Sequence, residues 1–132
     1  MGGETNFSGL IRSMKPVLNE GEFVFCTFAD TAQIDLSKAI CVFKEQEGIS
    51  VILPKSVADD NNFNYSYISS WITLLVHSSL EAVGLTAAVS AALAKENISC
   101  NTVAGFHHDH IFVAKKDAER AMRVLQNLVR SR

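Results

Sequence analysis

WITLLVHSSLEAVGLTAAVSAALAKENISCNTVAGFHHDHIFVA, residues Trp71 to Ala114, is the stretch that decides the fold. Tyr67, Trp71, Ile72, Leu74, Leu75 and Val76 are too continuously apolar for one face to lie in water, so 65–77 is expected as a central strand. Gly84 then opens a helix in which Leu85, Ala88, Val89, Ala92 and Leu93 share one side. Ala87, Ala91 and Ala94 are small enough for close packing on a sheet, and Glu96 with Asn97 marks the helix end. Residues 98–106 and 111–114 follow as an antiparallel pair across His107, His108, Asp109 and His110.

Working outward, the last segment is the clearest amphipathic helix: Ala118, Ala121, Met122, Leu125, Leu128 and Val129 recur at helical spacing, with Arg120, Arg123 and Arg130 expected in water. Upstream, EFVFCTF is rich in aromatic and β-branched residues and reads as a strand, while Thr31 to Lys38 is polar and reads as a loop. AICVFKEQEGISVILP is the composition of a hairpin whose turn needs a positive φ at Gly48, closed by Pro54. Lys55 to Asn64 holds a short helix at most. At the N-terminus, Phe7, Leu10, Ile11, Met14, Val17 and Leu18 form one apolar helical stripe from about Ser8, ending or tightening near Lys15 because of Pro16.

The expected order is helix, strand, strand, strand, short helix, strand, helix, strand, strand, helix. This is an α+β arrangement, an antiparallel sheet with helices on one face. The second half alone supplies βαββα, so the chain reads as tandem shortened repeats of a ferredoxin-like βαββαβ unit, with limits at 7–64 and 65–132.

At 48% hydrophobic residues, the 132-residue chain has ample material for a core. Its formal charge of -2 comes from scattered acids and bases, without the Lys/Arg cluster that follows a phosphate backbone, so no nucleic acid partner is expected. The longest apolar stretch, 68–75, falls short of the roughly 20 residues a membrane span needs, and MGGETNFSGL lacks a leader pattern. Gly2 is not followed by the Ser or Thr that myristoylation wants. Cys26, Cys41 and Cys100 fit neither a disulfide framework nor a metal motif, and a reducing cytoplasm with three buried thiols is the simple expectation.

A strand ending in ITLLVHSS, the loop LEAV and then GLTAAVSAALAKENISCNTVAGF together resemble the ACT domain, a regulatory module that binds amino acids. Gly84 and Leu85 match its Gly-aliphatic pair at the helix start, and Ala94 to Ser99 its downstream pattern. SSLEAVGLTAA and VAGFHHDHIFV, with GEFVFCTF and EQEGISVIL upstream, resemble more closely an uncharacterised bacterial family carrying a pair of ACT domains. The match covers roughly Ser8 to Leu128.

The resemblance implies a small-molecule-binding regulatory module without catalytic activity and without a cofactor, its ligand an amino-acid-like molecule. A helix N-terminus offers unpaired N–H groups to a carboxylate, and Gly84 lets the ligand approach the backbone. Ser78, Ser79, Glu81, Val83, Gly84, Leu85 and Thr86 therefore form one candidate wall, and Gly105, Phe106, His107 and His108 the other. No effector domain is fused, so output is expected through self-association, as a homodimer, or through a separate effector protein.

Two alternatives stand beside this reading. One is a structural or protein-interaction module that has no ligand. The other is a histidine-dependent metal-binding protein or hydrolase using His107, His108 and His110. Adjacent strand residues alternate sides, so four neighbouring positions make a poor tetrahedral site, and His77 or a second subunit would have to add ligands. Ser78 and Cys100 lack the turn or signature of a nucleophile, so catalytic residues are expected to be absent.

Overall fold

The computed structural model describes residues 7–76 and 83–131. Packing gathers the chain into two units, one of Met1–Asn19 with Ser70–Arg132 and one of Glu20–Ser69. The sequence-based limits, 7–64 and 65–132, follow chain order alone. Packing places residues 15–18 with the C-terminal segment, through a strand pairing described below.

In the 20–69 unit, β2 (Phe23–Phe28) leads through two single 3-10 turns, Thr31–Gln33 and Leu36–Lys38, into β3 (Cys41–Lys44), β4 (Ile49–Pro54) and α2 (Lys55–Asp60). Ile68 and Ser69, the first residues of β5 (Ile68–Leu75), pair with Val24 and Phe23. The strand order is β3–β4–β2–β5, with β3, β2 and the start of β5 each antiparallel to its neighbour. Strand alternation sends Val24 and Cys26 of β2 and Val51 and Leu53 of β4 to one face, where they close a core with Ile34 and Ala58. Phe28 and Phe63 pack against it edge to face, 4.8 Å apart.

The stretch expected as a plain loop is self-capped. Asp30 accepts the Ala32 N–H at 2.9 Å, and the Gln33 side chain accepts the Ala29 N–H at 2.8 Å. Asp35 accepts the Ser37 N–H at 3.0 Å, starting the second turn. Short polar side chains that bond the backbone this way favour turns over a continuous helix.

The other unit contains α1 (Phe7–Ser13), β1 (Lys15–Leu18), the rest of β5, α3 (Leu85–Lys95), β6 (Asn101–Ala104), β7 (Asp109–Ala114) and α4 (Ala118–Arg130). The single N-terminal helical stripe is corrected here. α1 stops at Ser13, and Val17 and Leu18 lie in β1, which pairs antiparallel with β5 through Lys15↔Leu75 and Leu18↔Ile72. Within this unit the order is β1–β5–β7–β6. β1 is thus an edge strand, where the missing N–H of Pro16 is tolerated. It also supplies the terminal strand that the C-terminal copy lacks in sequence order. Both units therefore share one topology, second strand, third, first, fourth, as in the split βαββαβ architecture.

On one face of this second sheet, Ile72, Leu74, Ile111 and Val113 meet Ile11, Leu85, Val89, Leu93, Ala121 and Leu125 from the three helices in the main core. Asn97 takes a left-handed φ of +59° and ends α3, letting the Ile98 N–H donate to the Leu93 carbonyl at 3.0 Å. Two smaller expectations need correction. Arg120 does not simply face water: it donates to the Glu96 carbonyl and pairs with Asp117 at 3.0 Å. Only Cys26 of the three cysteines is buried, Cys41 and Cys100 being half-buried. Burial pushes the thiols of Cys26 and Cys100 up in pKa.

Candidate functional site

The first candidate wall sits where the chain enters α3. Gly84 adopts a left-handed φ of +103°, a conformation costly for any residue with a Cβ, and no side chain caps the helix among the described residues. Val83 stands 81% exposed and Thr86 is exposed, whereas the Leu85 side chain is buried in the core. Leu85 therefore packs, and only its backbone N–H could face a ligand. Ser78, Ser79 and Glu81, with His77, lie outside the described residues.

The second wall is the four-residue turn between β6 and β7. The Gly105 N–H donates to the His108 carbonyl at 2.9 Å, closing the turn. Phe106 projects with 81% exposure and meets the exposed His107 edge to face at 5.1 Å. His108 is half-buried, and its Nδ1 is buried with no hydrogen-bond partner among the described residues. Among the described residues, no hydrogen bond or ring contact links this turn to Val83 to Thr86.

Beside the turn lies a network that the sequence reading missed. His110, the second residue of β7, receives the Trp71 indole N–H on Nδ1 at 3.0 Å, with Thr73 Oγ1 3.1 Å from the same nitrogen. Asn19 ties the network down, its side-chain amide donating to Thr73 Oγ1 at 2.9 Å and its backbone N–H to the Trp71 carbonyl at 2.8 Å. Trp71 stacks on Phe112 at 6.1 Å. Strand alternation puts Trp71, Thr73, His110 and Phe112 on the sheet face opposite the helices. Burial pushes the His110 imidazole below its ordinary pKa, His108 adds to that, and Asp109 opposes it. The ring is therefore held neutral near pH 7.

The side chains of this network are hydrogen-bond donors and acceptors. No group of three or more metal-ligating side chains gathers among the described residues. A separate groove of about 610 Å³ runs between α3 and α4, with Ala92, Val124 and Leu128 below and Lys95, Arg120 and Arg123 at its rim. None of the described helices is long and apolar enough to cross a membrane.

Two βαββαβ units, one entered through an uncapped glycine-led helix, define a tandem regulatory domain pair. The chain belongs to the ACT domain family: one ACT domain model matches residues 2–70 and another residues 66–127. ACT domains are regulatory, and family membership supports a ligand-binding regulatory role. A Vibrio cholerae protein of unknown function, described as a possible transport protein, is 42% identical with a TM-score of 0.84, over 92% of this chain and 94% of that one. An Agrobacterium tumefaciens protein shares the fold at 16% identity and a TM-score of 0.71, over 88% and 89% of the two chains. Aspartokinase III of Escherichia coli, solved with aspartate and ADP, shares it at 12% identity and a TM-score of 0.61, over 91% of this chain and 34% of that one. No curated protein matches the chain.

Proposed function

We propose that this protein is a small-molecule sensor whose ligand is an amino acid or a close relative, acting as a cytoplasmic homodimer without catalysis of its own. The observation that carries the reading is the entry to α3. Gly84 takes a left-handed φ there, and no described side chain makes a capping hydrogen bond to the first turn. The corresponding turn after β2 is closed by the Asp30 carboxylate. A free helix start next to a strand end suits a ligand carboxylate. The proposed contacts are Ser78, Ser79, Glu81, Val83, Gly84, Leu85 and Thr86 on one side and Gly105 to His108 on the other.

Sensing needs an affinity matched to cellular metabolite levels, on the order of micromolar to millimolar. Calorimetry and thermal shift against each protein amino acid at millimolar concentration are expected to give heat and stabilisation for at least one. Silence in both assays with all of them overturns the reading.

A protein-interaction role is the second reading, favoured by Phe43 and Phe25, which are 67% and 37% exposed. Apolar residues of this size on the surface are suited to an interface, and a second copy is the partner that the homodimer proposal requires. Concentration-dependent sedimentation that disappears in Phe43→Ser supports it, and a monomer at all concentrations removes it.

A further inference from the structure

The two units carry an internal repeat at a fixed spacing. β3 begins at Cys41 and β6 at Asn101, β4 at Ile49 and β7 at Asp109, and the helical turn after each at Lys55 and Lys115, sixty positions apart in every case. The hairpin turns match as well: the Glu45 N–H donates to the Gly48 carbonyl at 3.0 Å, as Gly105 does to His108. Position 105 therefore corresponds to position 45, and His110 to Ser50.

In the 20–69 unit the two equivalent side chains satisfy each other, the Ser50 hydroxyl donating to the Glu45 carboxylate. In the other unit the carboxylate is gone. A Cβ at Gly105 would stand 3.2 Å from His110 Nε2 and 2.9 Å from the His108 carbonyl oxygen, so the imidazole edge lies against the turn in the room that a side chain at 105 would need.

The proton on His110 is fixed by its neighbours. The indole N–H of Trp71 points at Nδ1, and because the Asn19 amide donates to Thr73 Oγ1, the Thr73 hydroxyl is free to donate to Nδ1 too. Nδ1 is thus an acceptor, and in the neutral ring the proton must sit on Nε2. No described residue accepts from Nε2.

We infer that His110 is the donor of a carboxylate subsite beside the Gly105 turn, in which its Nε2–H donates to a ligand carboxylate as the Ser50 hydroxyl donates to Glu45 in the companion unit. The inference rests on the sensing reading for the identity of the ligand and adds the residue that would anchor it.

Imidazole nitrogen NMR on the full chain tests it, with acetate and then each protein amino acid as probes. The expected result is an Nε2–H tautomer at His110 whose signal moves with millimolar acetate. His110→Asn keeps an acceptor facing Trp71 and loses the distal donor. It is expected to keep its fold while weakening any amino-acid affinity about ten-fold or more, the usual loss for a hydrogen bond to a charged group.

An Nδ1–H tautomer, or an Nε2 signal that neither acetate nor any amino acid moves, overturns the subsite. These measurements on the natural chain decide even if the variant misfolds. Calorimetric heat with an amino acid that leaves Nε2 unmoved sinks the subsite and spares the sensing reading. Acetate moving Nε2 while every amino acid is silent does the reverse.

Discussion

Residues 20–69 and the unit built around residues 70–132 share strand order, hairpin geometry and a sixty-residue offset, yet they fill their polar positions in opposite ways. The 20–69 unit closes on itself: Asp30 and Gln33 cap its first turn, Asp35 caps its second, and Glu45 answers Ser50. Its partner in topology has glycine at Gly84, where a cap could stand, and at Gly105, the position equivalent to Glu45. It also replaces a serine by a histidine whose proton is positioned by three other side chains. One copy closes its turns with its own polar side chains, and the other has glycine at Gly84 and Gly105 and ties Asn19, Trp71, Thr73 and His110 to one another.

The helix layers differ too, and the largest predicted effect probes this. Leu93 in α3 is fully buried among three helices, while Leu53 in β4 is fully buried under the six residues of α2 and two short turns. Leu93→Ala is expected to destabilise by about 2–5 kcal/mol in urea unfolding, and Leu53→Ala by the lower part of that range, because a thinner cover collapses more readily into the gap. A larger loss at Leu53 would break the view that the 70–132 unit carries the better-filled core.

Next in size is the glycine pair in the hairpin turns. Gly48 has a φ of +155° and its Cβ position lies 2.9 Å from the Phe28 carbonyl oxygen, so Gly48→Ala combines backbone strain with a clash and should cost about 1–3 kcal/mol. Gly105 has the contact with His108 but no comparable φ, so Gly105→Ala should cost less in thermal unfolding. Equal losses would mean that the turns are held by contact alone.

Asp30→Ala tests the self-capping directly. It removes the acceptor for the Ala32 N–H and should cost about 1 kcal/mol by denaturant titration, the usual value of a cap. No measurable change would show that the 3-10 turns are held by packing of Ile34 instead.

How much of this was legible in the sequence depends on the range of the interaction. α3 and α4 announce themselves by periodicity, and Gly48 by turn chemistry, since both signals are local. β1 was hidden because four residues around Pro16 carry no strand signal of their own; pairing with Leu75 to Ile72 makes them a strand. Asn19 carries no local sign of its role for the same reason, its partners Trp71 and Thr73 being more than fifty positions away. The histidines drew notice in the sequence, but alternation along one hairpin could not single out His110. Its role is set by β5 and by the glycine at 105, and neither is its sequence neighbour. The tandem ACT resemblance reached the family, whereas the subsite depends on side chains that meet only after folding.

The smallest expected effect separates the units by pH. His110 has its pKa lowered, by burial first and then by His108, against Asp109, the charged and titratable groups that face it. A histidine depressed in the folded state binds its proton more weakly there than in the unfolded chain, whose value is about 6.5. Its contribution to stability is therefore fully present above about pH 6.5 and is lost as pH falls through the folded value. Protonation places a hydrogen on Nδ1 directly against the Trp71 N–H, so Trp71 fluorescence should change over the same interval. Because His110 is partly exposed, solvent screening keeps the stability change small. Ser50, the counterpart in the other unit, does not titrate, so His110→Asn should remove the Trp71 transition and leave the 20–69 unit unaffected. A His110 titration at or above the ordinary histidine value, followed by NMR, would undo this distinction between the two copies.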